Sequence, residues 1–115
     1  MLARAHRLTD GAGFASAVRR GRRAGSRTLV AHLEALEGGP PVRVGFVVSK
    51  AVGTAVTRNR VKRRLRHLAR ELLSSTETRL PGSAVLVVRA LPASATADYA
   101  ELRSDLARCL VRVTS

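Results

Sequence analysis

The chain has 115 residues, the length of one small domain, and its 45% hydrophobic content is typical of a folded protein rather than a disordered basic tail. It carries 21 Lys and Arg against 8 Asp and Glu, which gives a formal net charge of +13. This excess disfavours the compact state by self-repulsion and is offset by a polyanion, so nucleic acid is the leading class of partner and an anionic membrane surface the second.

The first predicted element is a short helix over residues 10–20. Phe14 and Val18 lie four residues apart and share one of its faces. Four arginines crowd the C-terminal end, where positive charge is favourable for the helix dipole. Gly21 suits the left-handed residue that commonly ends a helix.

Two strands are predicted next. Residues 28–36 place Leu29 and Leu33 on one face and His32 on the other, which is the alternation of a half-buried strand. Residues 42–50 alternate in the same way. The turn residues between the two segments, 37–41, predict that they pair as a hairpin.

The second half of the chain predicts a helix, a strand and a helix. After Gly53 the apolar period changes from two to 3.6, which indicates a helix ending near Ser74 or Ser75. Residues 80–90 give a turn and then an almost purely apolar strand, expected inside the sheet. Residues 96–113 form the last helix. These elements together predict an α+β fold with helices against a small sheet.

Positive charge concentrates on the second helix, because residues 38–70 contain nine basic residues and no acidic one. A solvated helix face normally mixes both signs, with opposite charges at i,i+4. The lack of acidic neighbours favours phosphate binding for one stripe of residues. For a second group, which lies near Glu71, a solvated helix face is an equally good interpretation. The stripe is Asn59, Lys62, Arg63, Arg66 and Arg70, and the second group is Arg60, Arg64, His67 and Glu71.

Aromatic side chains are scarce: Phe14, Phe46 and Tyr99 are the only ones in the chain. Core packing is the more frequent role of such rings, and base stacking in a basic groove is the alternative. His32 can line such a groove or be solvated.

No enzymatic motif is present. The histidines are scattered, and no paired carboxylates, metalloprotease motif or phosphate-binding glycine loop occurs. The single Cys109 excludes an intrachain disulfide and a cysteine zinc cluster, and its position predicts a buried thiol. No apolar run approaches 18 residues and the start lacks a hydrophobic signal region, so we expect a cytoplasmic protein without a membrane partner.

The segment 44-VGFVVSKAVGTAVTRNRVKRRLR-66 closely resembles the protein components of bacterial ribonuclease P. The Arg-Asn block after a Ser-Lys strand is the specific part. The likeness covers most of the chain, from Arg7, Leu8 and Phe14 to the strand 84–90 and the closing helix.

The resemblance implies one RNA-binding domain over residues 1–115. Its fold would be a two-layer α/β sandwich, with a mostly antiparallel sheet of about four strands, three helices and a βαβ crossover of the rare left hand. The resemblance also implies a subunit without catalytic residues of its own. With a catalytic RNA it would release the 5′ leader of precursor tRNA, using Mg²⁺ bound mainly by that RNA. Self-association is not implied.

Site residues follow from the resemblance position by position. The basic helix of the family faces the catalytic RNA, and its cleft between the first helix and the sheet passes the single-stranded leader. The first surface carries over onto Arg58, Asn59, Arg60, Lys62, Arg63 and Arg66, to which the stripe adds Arg70; the cleft carries over onto Phe14, Val18, His32, Phe46, Ser49 and Lys50.

The sequence departs from the family at four positions. Ala51 replaces a second lysine, Thr54 replaces a common asparagine, and Val18 and His32 stand where aromatic rings are frequent. These departures affect the implied leader contacts and leave the basic helix intact.

Two other readings stay open. One is a general, ribosomal-type RNA-binding protein with no role in tRNA processing. The other is a self-sufficient metal-dependent nuclease, which the lack of a carboxylate cluster disfavours.

Overall fold

The computed structural model describes residues 8, 11–38, 42–74 and 82–115. Within these ranges the three predicted helices and the α+β class are confirmed. The predicted helix start at residue 10, most of the turn at 37–41 and the beginning of the segment 80–90 lie outside the described residues. The elements are α1 (Gly11–Arg20), β1 (Arg22–Gly25), β2 (Leu29–Ala35), β3 (Arg43–Val47), α2 (Ala55–Leu73), β4 (Ala84–Ala90) and α3 (Tyr99–Thr114), with short 3₁₀ turns at Lys50–Val52 and Pro92–Ala95.

The sheet has the strand order β1-β2-β4-β3. β2 pairs antiparallel with β1 and β4, whereas β3 pairs parallel with β4. The predicted hairpin between residues 28–36 and 42–50 is therefore wrong, because β4 lies between those two strands. β4 has apolar residues on both of its faces, and an interior position in the sheet buries both, as predicted. The β3–α2–β4 connection is a parallel crossover, and its left hand stays a prediction.

β1 was missed by sequence reasoning. It has four residues, of which only Ala24 is buried, so its pattern carries almost no strand signal. Gly21, which joins it to α1, does not have the predicted left-handed backbone. A Cβ there would lie 2.4 Å from the Ala17 carbonyl oxygen and 2.9 Å from the Leu33 carbonyl, so glycine is needed for close approach.

The two faces of the sheet carry separate apolar clusters. α2 and α3 cover the first face, which holds the larger core. α1 and Leu8 cover part of the second face, and the Leu8 amide donates to the Val44 carbonyl across 2.9 Å. The first cluster includes Leu29, Leu33, Val44, Leu86 and Val88 from the sheet and Val61, Leu65, Leu68, Leu102, Leu106, Cys109 and Val113 from the helices. The second includes Leu8, Phe14, Ala17, Val47, Val85 and Val87.

Candidate nucleic-acid interface

The orientation of α2 is set by its cap and its buried stripe. The Thr54 side-chain oxygen accepts a hydrogen bond from the Thr57 amide at 3.3 Å, which satisfies one of the free N–H groups at the helix start. Val61, Leu65 and Leu68 are fully buried at helical spacing against the sheet. Because this stripe fixes the rotation of the helix, the remaining side chains of α2 point outward or sideways in a defined order.

The predicted phosphate stripe lies on the outward side of α2. Asn59, Arg63, Arg66 and Arg70 are exposed, and Lys62 is half-buried. Within the described ranges, none of the three arginine side chains has an acidic or hydrogen-bonding partner. We call these five residues, together with half-buried Arg58, the α2 surface. None of the described acidic side chains forms an ion pair with this surface, as the sequence indicated.

The second basic group of α2 faces the connection to α3. Arg60 donates to the Ala95 carbonyl at 2.8 Å, and Arg64 donates to the Ala97 carbonyl at 3.4 Å. The structure thus separates Arg60 from the exposed stripe and gives its guanidinium an intramolecular role. Its assignment to the RNA surface stays a prediction.

The first helix is held on the sheet by one ring and one carboxylate. The half-buried Phe14 ring lies so close to Gly45 that a Cβ there would stand 2.2 Å from the ring Cζ. The Ser16 hydroxyl lies 2.8 and 2.9 Å from the two carboxylate oxygens of Glu34 on β2. Val18, by contrast, is 41% exposed. α1 therefore packs over part of the second face of the sheet, with Phe14 against Gly45.

His32 lies on this second face of the sheet and is only 2% exposed. It is directly opposite Arg23 on β1, and Arg89 of β4 lies opposite the neighbouring same-face position, Val30. Burial, followed by the positive charges of Arg89 and Arg23, holds the pKa of His32 below its ordinary value. The imidazole is therefore neutral at physiological pH.

The remaining predicted cleft residues lie elsewhere. Phe46 packs against the first apolar cluster, on the side of the sheet opposite α1, so the structure does not bring it to the predicted leader site. The reason is the period of the strand: Phe46 follows Gly45, and Gly45 faces Phe14. Ser49 and Lys50 are exposed after β3, at the 3₁₀ turn that leads into α2.

Two basic residues beside His32, Arg23 and Arg89, were missed by sequence reasoning. Arg89 had a signal, because it interrupts an otherwise apolar strand. Arg23 had none without knowledge of β1, since only strand pairing places it beside His32.

No described residues form a group of three or more His, Cys, Asp or Glu side chains arranged to hold a metal ion. Across the described ranges, no helix is both long enough and apolar enough to traverse a bilayer.

A small mixed sheet with helices on both faces, one of which presents a row of exposed basic side chains, is typical of an α+β nucleic-acid-binding protein. The family model described as Ribonuclease P matches residues 2–114. A ribonuclease P protein component from Nocardioides sp. is 68% identical over 117 residues, covering 98% of this chain and 95% of the relative. One from Streptomyces bikiniensis is 51% identical over 121 residues, with the same coverage. The chain belongs to the ribonuclease P protein family.

Solved structures agree with this fold. The ribonuclease P protein of Staphylococcus aureus has a TM-score of 0.79 at 22% identity, covering 96% of this chain and 95% of that one. The protein from Thermotoga maritima has a TM-score of 0.75 at 23% identity, covering 93% and 96%. At these identities the likeness concerns the fold alone.

Family membership confirms the resemblance found in the sequence. The chain is a protein subunit of the ribonuclease P holoenzyme, which acts in tRNA 5′ maturation, and the ribosomal-type alternative is not favoured. This is consistent with chemistry performed by the RNA subunit.

Proposed function

We propose that this chain, as one domain over residues 1–115, binds the catalytic RNA of ribonuclease P through the α2 surface. We further propose that it holds the single-stranded 5′ leader of precursor tRNA in the cleft between α1 and the sheet. The observation that best supports the proposal is the row of exposed arginines on α2, whose side chains have no partner among the described residues.

The physical case for the α2 surface is electrostatic. Arg63 and Arg66 project from a helix whose buried side is fixed, so their charges are held together at short range. Like charges at this spacing repel each other and destabilise an isolated helix. A phosphate backbone beside them attracts both charges, so the net electrostatic energy becomes favourable. Asn59, with both a donor and an acceptor, can add a contact to a sugar or a base edge.

The case for the cleft rests on position and chemistry. Val18 is exposed on α1, and strand register brings Arg23 and Arg89 beside His32 on the second face of the sheet. A strand of RNA offers phosphates for the arginines and base and sugar edges for the imidazole. A positively charged groove of this kind is typical of single-strand binding.

Mg²⁺ is assigned to the RNA subunit in this proposal. The described residues bring no three candidate ligands together, so an ion held by this chain alone does not fit them. RNA phosphates are hard oxygen ligands of the kind that Mg²⁺ prefers. When bound, the ion would supply an activated water for phosphodiester hydrolysis.

The first experiment tests the function as a whole. Labelled precursor tRNA is incubated at low magnesium with the protein, with the catalytic RNA, and with both. We expect cleavage at the mature 5′ end to require both. Cleavage by the protein alone would indicate a self-sufficient nuclease, and an RNA activity that is unaffected by the protein would contradict the proposal.

The second experiment tests the α2 surface. Arg63→Gln and Arg66→Gln are each expected to reduce the slope of log affinity for the catalytic RNA against log salt by roughly one unit, because each removes one phosphate contact. Arg112→Gln is the matched control, since Arg112 lies on α3 and donates to the Gly25 carbonyl of β1. An unchanged slope in both α2 variants would exclude these arginines as phosphate ligands.

A further inference from the structure

An open groove lies between the C-terminal half of α2 and the first turn of α3, with a volume of about 450 Å³. This volume is within the range of sites that take a small molecule or a cofactor. Four of the lining residues follow one another on α2 at spacings of three or four, so they share one face of that helix. The lining residues are His67, Arg70, Glu71 and Ser74 of α2 and Tyr99 of α3, and we call the site the α2–α3 groove.

The position of Tyr99 beside α2 is fixed by the connection that leads into α3. Arg64 of α2 donates to the Ala97 carbonyl at 3.4 Å, two residues before the ring. Asp98 then caps α3, because its carboxylate accepts from the Glu101 amide at 2.8 Å. These contacts hold the start of α3 against α2, so the groove is formed before any ligand binds.

Three side chains of the groove are available to a ligand. Those of His67, Arg70 and Tyr99 make no hydrogen bond or ion pair with any described residue. Tyr99 is 37% exposed and is the only exposed aromatic residue in the described structure, because Phe14 and Phe46 are half-buried. The groove therefore combines a free ring, a free guanidinium group and a free imidazole.

The other two lining residues already have partners. The Glu71 carboxylate lies 3.6 Å from Nε of Arg103 on α3, and the Ser74 hydroxyl donates to the Arg70 carbonyl at 2.9 Å. A carboxylate disfavours a phosphate inside the groove, but it can accept a hydrogen bond from the amino group of a base. The interior of the groove therefore suits a base better than it suits the phosphate backbone.

The α2–α3 groove continues the α2 surface. Arg70 belongs to both, and Arg66 lies one helical turn before it on the same stripe. An RNA backbone that follows these arginines along α2 reaches the groove at the C-terminal end of the helix. This continuity favours a nucleotide of that RNA over a free small molecule as the ligand.

We propose that the α2–α3 groove binds one unstacked base from a loop or bulge of the catalytic RNA. The base stacks on the ring of Tyr99, and Arg70 binds the phosphate next to it. The imidazole of His67 and the carboxylate of Glu71 form hydrogen bonds with the edge of the base. This site rests on the proposed function, because it assumes that the catalytic RNA lies along the α2 surface.

The first test measures the affinity of the full chain for the catalytic RNA. Tyr99→Ala and Tyr99→Leu should each weaken binding by roughly fivefold to hundredfold, the effect of losing one base stack, whereas Tyr99→Phe and Tyr99→Trp should bind like wild type. Leucine fills space without stacking, so it separates stacking from packing. The two losses should leave the salt slope unchanged, whereas Arg70→Gln should reduce that slope by roughly one unit.

The second test locates the base by chemical probing of the RNA in the complex. One base that is protected by the wild-type protein should become reactive with Tyr99→Ala and stay protected with Tyr99→Phe. An abasic nucleotide at that position should weaken binding of the wild-type protein and cause no further loss with Tyr99→Ala, because both changes remove the same contact. Losses that add fully would overturn the proposal.

Controls separate failure of the groove from failure of the proposed function. Val111→Ala should bind like wild type, because Val111 is exposed on α3 about three turns beyond Tyr99. Wild-type affinity in both Tyr99→Ala and Tyr99→Leu, together with reduced salt slopes in Arg63→Gln and Arg66→Gln, would overturn the groove alone. Unchanged slopes in those two arginine variants would overturn the α2 surface and the groove with it. A loss of affinity that follows a loss of stability in urea unfolding across the Tyr99 variants would also overturn the groove.

Discussion

Replacing Gly45 by alanine should destabilise the protein through a clash with the first helix. A Cβ at this position would stand 2.2 Å from Cζ and 2.5 Å from Cε1 of Phe14, whereas ordinary contact begins near 3.4 Å. The ring must therefore retreat by at least about 1.2 Å. α1 cannot simply follow, because Ser16 holds it to Glu34.

The magnitude follows from known costs of overpacking. Inserting a methyl group into a packed site costs about 1–3 kcal/mol. Alanine in place of glycine within a strand recovers roughly 0.5–1 kcal/mol of backbone entropy, so the net loss should lie between about 0 and 2.5 kcal/mol. Because the displaced ring belongs to the proposed leader site, Gly45→Ala should also weaken binding of the leader.

The assay is urea unfolding of four proteins: wild type, Gly45→Ala, Phe14→Leu and the double variant. Leucine lacks both ring atoms that meet the new methyl group. In the Phe14→Leu background, Gly45→Ala should therefore cost nothing or stabilise slightly. An equal cost of Gly45→Ala in both backgrounds would refute the clash, since the coupling energy of the cycle would then be zero.

Three further predictions concern stability. Burial alone would raise the pKa of Asp105, but hydrogen bonds from Thr28 (2.6 Å from its hydroxyl) and Arg108 outweigh it and hold the pKa below its usual value. Thr28→Val should therefore lower the free energy of unfolding by about 1–3 kcal/mol at neutral pH, measured by chemical unfolding. This loss should shrink as pH falls through the pKa of the carboxyl group, and a loss independent of pH would contradict the reasoning. The pKa of His32 is lowered in the folded protein, so the unfolded chain binds the proton more readily and the free energy of unfolding should fall as pH decreases below about 6.5. In His32→Leu this part of the decline should vanish. A decline that persists in the variant would belong to another group. Arg60→Met removes the bond to the Ala95 carbonyl and should lower stability by about 1 kcal/mol while the salt slope for RNA binding stays at the wild-type value; a flattened slope would place Arg60 on RNA instead.

Sequence periodicity predicted those features that depend on a rigid local repeat. The 3.6-residue period of α2 predicted which of its residues are buried. The same period placed Arg63 and Arg66 on a different side of the helix from Arg60. Strand alternation likewise placed His32 on the face opposite Leu29 and Leu33. Each of these predictions needs only the geometry of one element.

Pairing between elements could not be obtained in this way. The turn after β2 signals a reversal of the chain but not the partner of the returning strand, so β3 was wrongly placed beside β2. Alternation put Phe46 and Gly45 on opposite faces but could not tell which face meets α1. The grouping of Arg23 and Arg89 beside His32 depends on the register of three strands, one of them with a single buried residue, so sequence reasoning could not find it.

The central position of β4 has a consequence for how the chain is made. β2 and β3 are both synthesised before their shared partner, and residues 84–90 must insert between them. Until then, the β1–β2 pair carries an open edge and β3 has no strand beside it. Closing the sheet requires a contact across the whole of α2, which makes it slow relative to helix formation. We therefore expect the nascent chain to display its basic helix before it has a complete core, and any product that stops short of β4 to aggregate.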